Sequence, residues 1–329
     1  MGDLQRRLLR SKARTADLVE ATLEGARLAM VALGGVPVVA PPKPTSGKAR
    51  QRPAEVALWH LTDWQGAKVT PSYDSAVMRK RVLRFVDKAA QITEVQRQDH
   101  PVDECVIALG GDMCEGLFNF PHQVFEVDQT IFGQFVSVAR LIVDATVLAL
   151  ALYRAVTVVA EWGNHGRIGS RRAVVPPSDN FDRMIYELAR QMLGPQPRLT
   201  WHDSSTDIQH IEVGNYRALL IHGDEIGRNG FASRNTIVQA VNRWRSGAHR
   251  LNGKPWAFRD VYVGHYHTHA EDPMANGEGA IYWTGSTESD NRYAADSLAS
   301  SALASQRLHF INPVSGHVTA QYKVRLEED

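Results

Sequence analysis

Residues 104–116 read ECVIALGGDMCEG, an apolar strand over 105–109 that breaks at a Gly-Gly-Asp turn carrying Asp112. The same design stands upstream: EVALWHLTDWQG (55–66) runs from an apolar strand into a polar turn at Thr62 and Asp63. It recurs downstream in AVTVVAEWGNHG (155–166), a third strand that ends at Gly163, Asn164 and His165. Between these strands the spacing of apolar residues predicts helices over 75–98 and 124–153. A helix over 180–193 follows, then β-type runs over 199–202, 208–213 and 217–222, the last leading to His222. A helix over 233–246 leads to a strand over 260–263 and the turn GHYHTH, with closing strands over 280–284, 306–311 and 317–324. Strand–helix alternation followed by a strand-rich half predicts a layered, mixed α/β fold. Every unusual polar cluster sits just after a strand, where the loops of an open α/β sheet converge, so the clusters should meet in space.

Outward from this core the chain changes character. Residues 3–33 carry an imperfect apolar stripe (Leu4, Leu8, Leu9, Leu18, Leu23, Leu28, Val31), which predicts a helical arm over 1–34. A proline- and lysine-rich linker over 35–54 and a main domain over 55–329 complete the expected organisation. Residues 1–53 hold ten basic and four acidic side chains, a net +6 within a chain whose formal charge is +1. Such an arm suits nucleic acid, a protein partner or self-association, and equally suits a solvated tail. With 43% hydrophobic and 22% charged residues, the 329-residue chain has the composition of a soluble globular protein. Its two cysteines, Cys105 and Cys114, give no disulfide framework and point to a reducing, cytoplasmic setting. No signal peptide is read at the N-terminus. The most apolar stretch, 136–153, contains Arg140 and Asp144 and is read as a core helix, so no membrane association is expected.

Taken singly, each polar turn has an ordinary explanation as a cap, a tight turn or a core histidine. Together they place Asp63, Gln65, Asp112, Asn164, His165, His222, His265 and His267 at five successive strand ends. These are oxygen and imidazole donors with no thiolate among them, a mixture that suits Mn²⁺, Fe or Zn²⁺ in a catalytic rather than a structural site.

In this order the turns resemble the calcineurin-like metallophosphoesterase signature, D-x-H, G-D, G-N-H, H and G-H-x-H, over residues 55–325. No Asp-Arg-Gly extension follows the Gly-Gly-Asp turn, so the chain is more similar to the phosphodiesterase and nuclease branch, which includes double-strand-break-repair exonucleases, than to the protein phosphatases. The resemblance implies a four-layer α/β/β/α sandwich and two divalent ions, Mn²⁺ first, with Fe, Zn²⁺ or Mg²⁺ as alternatives. It implies that Asp63 and His267 hold the first ion, that Asp112 bridges both, and that Asn164, His222 and His265 complete the second. His165 would then protonate the leaving group, while a hydroxide shared by two ions roughly 3.5–4 Å apart attacks phosphorus. Gln65 departs from the pattern, which has histidine there. An amide oxygen is a weaker donor than imidazole to zinc-like metals, and both a functional ligand and a drifted site are compatible with it.

Arg167, Arg171 and Arg172 follow the third turn, and Arg228 and Arg234 follow His222. With Arg167, Arg171 and Arg228 as candidate phosphate contacts, and Trp64, Phe118, Phe120, Trp162 and Phe231 as candidate stacking platforms, the expected substrate is DNA or RNA. Two alternatives stand beside the nuclease: a phosphomonoesterase or cyclic-nucleotide phosphodiesterase, and a non-catalytic scaffold with a degenerate site. His269, beyond the His265 and His267 pair, is read as structural.

Overall fold

The computed structural model describes residues 25, 35–45, 51–117, 123–168, 179–202, 206–226, 232–275, 277–290 and 303–327. The helical arm expected over 1–34 lies outside the described residues apart from Gly25. Residues 35–45 have no regular secondary structure, and Val36 and Val39 pack on the main core.

Alternation along the strands sorts side chains into layers. On β1 (Glu55–Leu61), Ala57, Trp59 and Leu61 enter a core beneath helices, whereas Val56 and Leu58 enter a second core between two sheets. The first sheet has the order β13 (His317–Arg325), β12 (Ser305–Asn312), β1, β2 (Val102–Gly110), β3 (Ala155–Glu161), β4 (Leu199–Trp201). Strands β1 to β4 are parallel, and β12 and β13 add an antiparallel edge. Its outer face carries α1 (Ser75–Gln96), α2 (Ile131–Leu152) and α3 (Phe181–Leu193), which cover Trp59 between Phe85 and Tyr153 at ring distances of 5.6 and 5.8 Å. Large side chains buried this fully contribute roughly 1.5–3 kcal/mol each.

The second sheet has the order β10 (Ala270–Pro273), β11 (Ala280–Trp283), β9 (Asp260–Val263), β6 (Tyr216–Ile221), β5 (Gln209–Val213). On β6, Ala218 and Leu220 face the first sheet, while Leu219 and Ile221 face the outer layer formed around α4 (Arg234–Arg243). The result is the expected α/β/β/α sandwich.

Several elements differ from the sequence expectation. The helix expected over 124–153 begins at Ile131, because the Thr130 hydroxyl caps it by accepting from Gly133 N (3.2 Å); residues 123–125 form a separate 3₁₀ turn. The helix expected over 233–246 leaves α-geometry after Arg243 and continues as a π turn, Trp244–Ala248. Strand β10 and the two-residue pair β7 (Arg250–Leu251) and β8 (Lys254–Pro255) were not expected; their charged, short sequences carry no β pattern. Helix α2 is long and apolar enough to cross a membrane by length and composition, yet Phe135, Val138, Ile142 and Ala149 are buried in the first core.

Candidate metal centre

Five parallel strand ends supply the site. The turns after β1, β2 and β3 carry Asp63 and Gln65, Asp112, and Asn164 and His165; those after β6 and β9 carry His222 and His265 with His267. Backbone hydrogen bonds lace the turns together: Asp63 N donates to Gly111 O (2.9 Å), Gln65 N to Asp112 O (3.0 Å) and Gly264 N to His222 O (3.1 Å). The glycines have a steric reason. Gly111 lies at φ +85°, and a Cβ there would stand 2.5 Å from Gly163 N, while a Cβ on Gly163 would collide with the Asp112 carboxylate. Asp63, Gln65, Asp112, His265 and His267 all have positive φ without being glycine (48° to 65°), a strain that persists only where the surroundings impose it.

The eight residues converge. Asp112 Oδ2 lies 3.1 Å from His222 Nε2, which is 3.2 Å from Asn164 Oδ1. His222 Nδ1 is 2.8 Å from the Gly110 carbonyl, so that nitrogen carries hydrogen and Nε2 is aimed at the carboxylate. Ligand atoms of Asp112, His222 and His265 all lie within 4.8 Å of one another, the one such group among the described residues. Asp112 Oδ1 accepts from His165 N (2.7 Å). On the other side, Asp63 Oδ1 is 3.2 Å from His267 Nε2, and Gln65 Nε2 is 3.3 Å from the same nitrogen and 3.4 Å from Asp112 Oδ2. Asp63, Gln65, Asp112, Asn164 and His222 are buried, whereas the side chains of His165 and His267 are 14% and 16% exposed, so the centre opens on the histidine side.

Charge is distributed to match. Burial disfavours imidazolium at His222, but the Asp112 carboxylate overrides it and lifts His222 well above the histidine range. Burial and the neighbouring His222 hold His265 well below it. Burial likewise opposes protonation of His165 and His267; Glu115 with Asp112 raises the first to about 9, and Glu288 with Asp63 raises the second to about 10. Two acceptor oxygens and a ring nitrogen aimed at one point require a positive species between them. A proton on His222 meets that requirement, and a divalent ion would displace it, so the donor set fits a metal whose binding releases a proton.

Four residues essential to this geometry carried no signal in the sequence. Asp182, buried in the first turn of α3, accepts from Asp112 N (2.8 Å), Gly163 N (2.9 Å), Met113 N (3.1 Å) and Cys114 N (3.3 Å). Glu115 Oε2 holds His165 Nδ1 (3.1 Å), and Glu288 Oε1 holds His267 Nδ1 (2.7 Å). Buried Lys68 joins both carboxylates, at 3.4 Å from Glu115 and 3.9 Å from Glu288. Each reads singly as a cap or a loop charge; only their burial shows otherwise.

The expected substrate contacts fare differently. Arg167 is ion-paired with Asp224, and Arg234 is paired with Asp272 (2.7 Å) over the Trp283 ring. Arg171, Arg172, Arg228, Phe118, Phe120 and Phe231 lie outside the described residues. Trp64 and Trp162 are buried and offer no stacking face. His269 lies beside Arg307 and Lys323 and is lowered to about 3 by burial and those charges. Both cysteines are buried free thiols.

The layered α/β/β/α sandwich and the strand-end turns that converge at one edge of it are the arrangement that the resemblance in the sequence implies. No protein-family model matches the chain, and no curated protein matches it. Among solved structures it is similar to Vps29 complexed with Zn²⁺ from Entamoeba histolytica (12% identity, 82% of this chain and 99% of that one, TM-score 0.36). It is also similar to an archaeal phosphodiesterase (10%, 82% and 99%, TM-score 0.38) and a predicted phosphoesterase from Streptococcus pneumoniae (11%, 82% and 98%, TM-score 0.32). At those scores the likenesses carry no weight of their own.

Proposed function

We propose that the chain is a metal-dependent phosphodiester hydrolase. The observation that carries it is the convergence of Asp112 Oδ2, His222 Nε2 and Asn164 Oδ1 beside His265, with His165 immediately adjacent. Asp112, Asn164, His222 and His265 would hold a divalent ion, Mn²⁺ first among those this mixed nitrogen and oxygen set suits. When bound, such an ion neutralises phosphoryl oxygens and makes water a stronger nucleophile.

The chain's own groups supply the rest. His165 has Nδ1 fixed on Glu115, which leaves Nε2, 3.9 Å from Asp112 Oδ2, to face the reacting group. A histidine kept protonated at neutral pH is a proton donor to a departing alkoxide. Nucleic acid is the substrate class we put forward, supported by the +6 segment over 1–53, and a cytoplasmic location accords with two free, buried thiols. The first test is hydrolysis of bis(p-nitrophenyl) phosphate, single-stranded DNA and double-stranded DNA with Mn²⁺ or EDTA, beside Asp112→Ala. Metal-dependent DNA cleavage lost in the variant supports the nuclease, and cleavage of the small diester alone moves the substrate to a small molecule. No hydrolysis with any divalent ion would refute the enzyme.

A further inference from the structure

The two halves of the centre are not equivalent. Around Asp112, His222 and His265 the donor atoms are gathered as a cation requires, each within 4.8 Å of the others. Asp63, Asp112 and His267, which the motif assigns to the other ion, form no such group among the described residues. Their donor atoms are engaged with the protein instead. Both oxygens of Asp63 accept from His265 N (3.1 and 3.0 Å), Oδ2 also accepts from the Thr62 hydroxyl (2.7 Å), and Oδ1 faces His267 Nε2 (3.2 Å).

Gln65 sits among them. Its Nε2 stands 3.4 Å from Asp112 Oδ2 and 3.3 Å from His267 Nε2, the two atoms that an ion in this half would have to join. The amide carries two hydrogens and a partial positive charge, so it occupies the point between these donors as a neutral stand-in for a cation. Its Oε1 is buried and meets no donor. To serve as a ligand, the amide would have to turn over, trading its N–H contact with Asp112 Oδ2 for one weak oxygen–metal bond. The root of the side chain cannot shift to ease that exchange. Gln65 is held at φ 48°, with its N–H on Asp112 O (3.0 Å) and the next N–H on Met113 O (2.8 Å).

We propose that this chain binds one divalent ion, at Asp112, Asn164, His222 and His265, and that the Gln65 amide takes the place of a second. The inference rests on the metallophosphoesterase reading of the same site. It gives a role to the one position where the motif departs from its pattern, and it predicts a hydrolase that works without an ion pair.

The test is metal content after saturation with Mn²⁺ and removal of unbound ion, together with the Mn²⁺ electron paramagnetic resonance spectrum. The wild-type chain should retain one ion and show an uncoupled spectrum. Gln65→His should retain two, with an exchange-coupled spectrum. Gln65→Glu, which also replaces the amide by an anionic donor, serves if the histidine variant does not fold. Two ions on the wild-type chain would overturn the proposal, and so would one ion in the wild type and in both variants. No ion on any of the three proteins would instead strike the metal site itself, and the proposed function with it.

Discussion

Asp182 offers the sharpest check on how the centre is built. Replacing it by alanine leaves the N–H groups of Asp112, Gly163, Met113 and Cys114 facing a small apolar side chain. Each buried donor without a partner costs about 1–3 kcal/mol, so the gross loss is near 6 kcal/mol if each is taken at about 1.5. Against this stands a relief. Burial and the neighbouring Asp112 raise Asp182 from 3.8 to about 6, so its ionised form is held at a cost of about 3 kcal/mol that alanine removes. The net expectation is about 3 kcal/mol of lost stability at about pH 8, a large share of the roughly 5–15 kcal/mol typical of a domain. Urea unfolding of both proteins at that pH measures it. The sign with pH follows from the raised value: the folded state binds more protons, so this group's contribution is full below its unfolded pKa and is lost as pH rises through about 6. Asp182→Asn should lose about half as much stability and abolish that slope. A cost for Asp182→Ala below about 1 kcal/mol would refute the reasoning, because the two turns would then be holding themselves.

Two further outcomes follow from the second layer of charge. Lys68→Met strands the buried carboxylates of Glu115 and Glu288 and should cost about 3–5 kcal/mol by thermal or urea unfolding, with Lys68→Arg recovering part of it; an unchanged midpoint would count against the pairing. Glu115→Gln removes the main group that raises His165 to about 9, so the alkaline limb of kcat/KM for a diester with an alkyl leaving group should move to lower pH. The limb should stay in place if His165 is not the proton donor.

The layers were legible because strand runs and helical spacing agree over long stretches, and because β1, β2 and β3 end in turns of one design. What escaped was short or charged: β10 reads Ala-Glu-Asp-Pro, and the pair β7 and β8 spans two residues each. In the site, the turns named themselves through residue type and order. The supports did not, because burial of Asp182, Glu115, Glu288 and Lys68 depends on partners far along the chain, such as Lys68 with Glu288. The pairing of Arg167 was hidden for the same reason: its partner, Asp224, is 57 residues away. Gln65 was visible as a departure, but only the contacts of its amide give that departure a meaning.

The origin of the ligands in two sheets has a consequence for assembly. Asp112 and Asn164 arrive with the first sheet, His222 and His265 with the second, and strands β2 and β9 are separated by nearly half of the chain. An ion bound there would be a rivet between two halves that must already have closed on each other. It cannot guide the early steps, since no half offers the full donor set. Its free energy would be gained at the end, about 2.7 kcal/mol at a hundredfold excess over its dissociation constant, and would be lost again whenever the sheets part. Starvation for metal would therefore leave a protein that still folds, but one whose two sheets separate more readily.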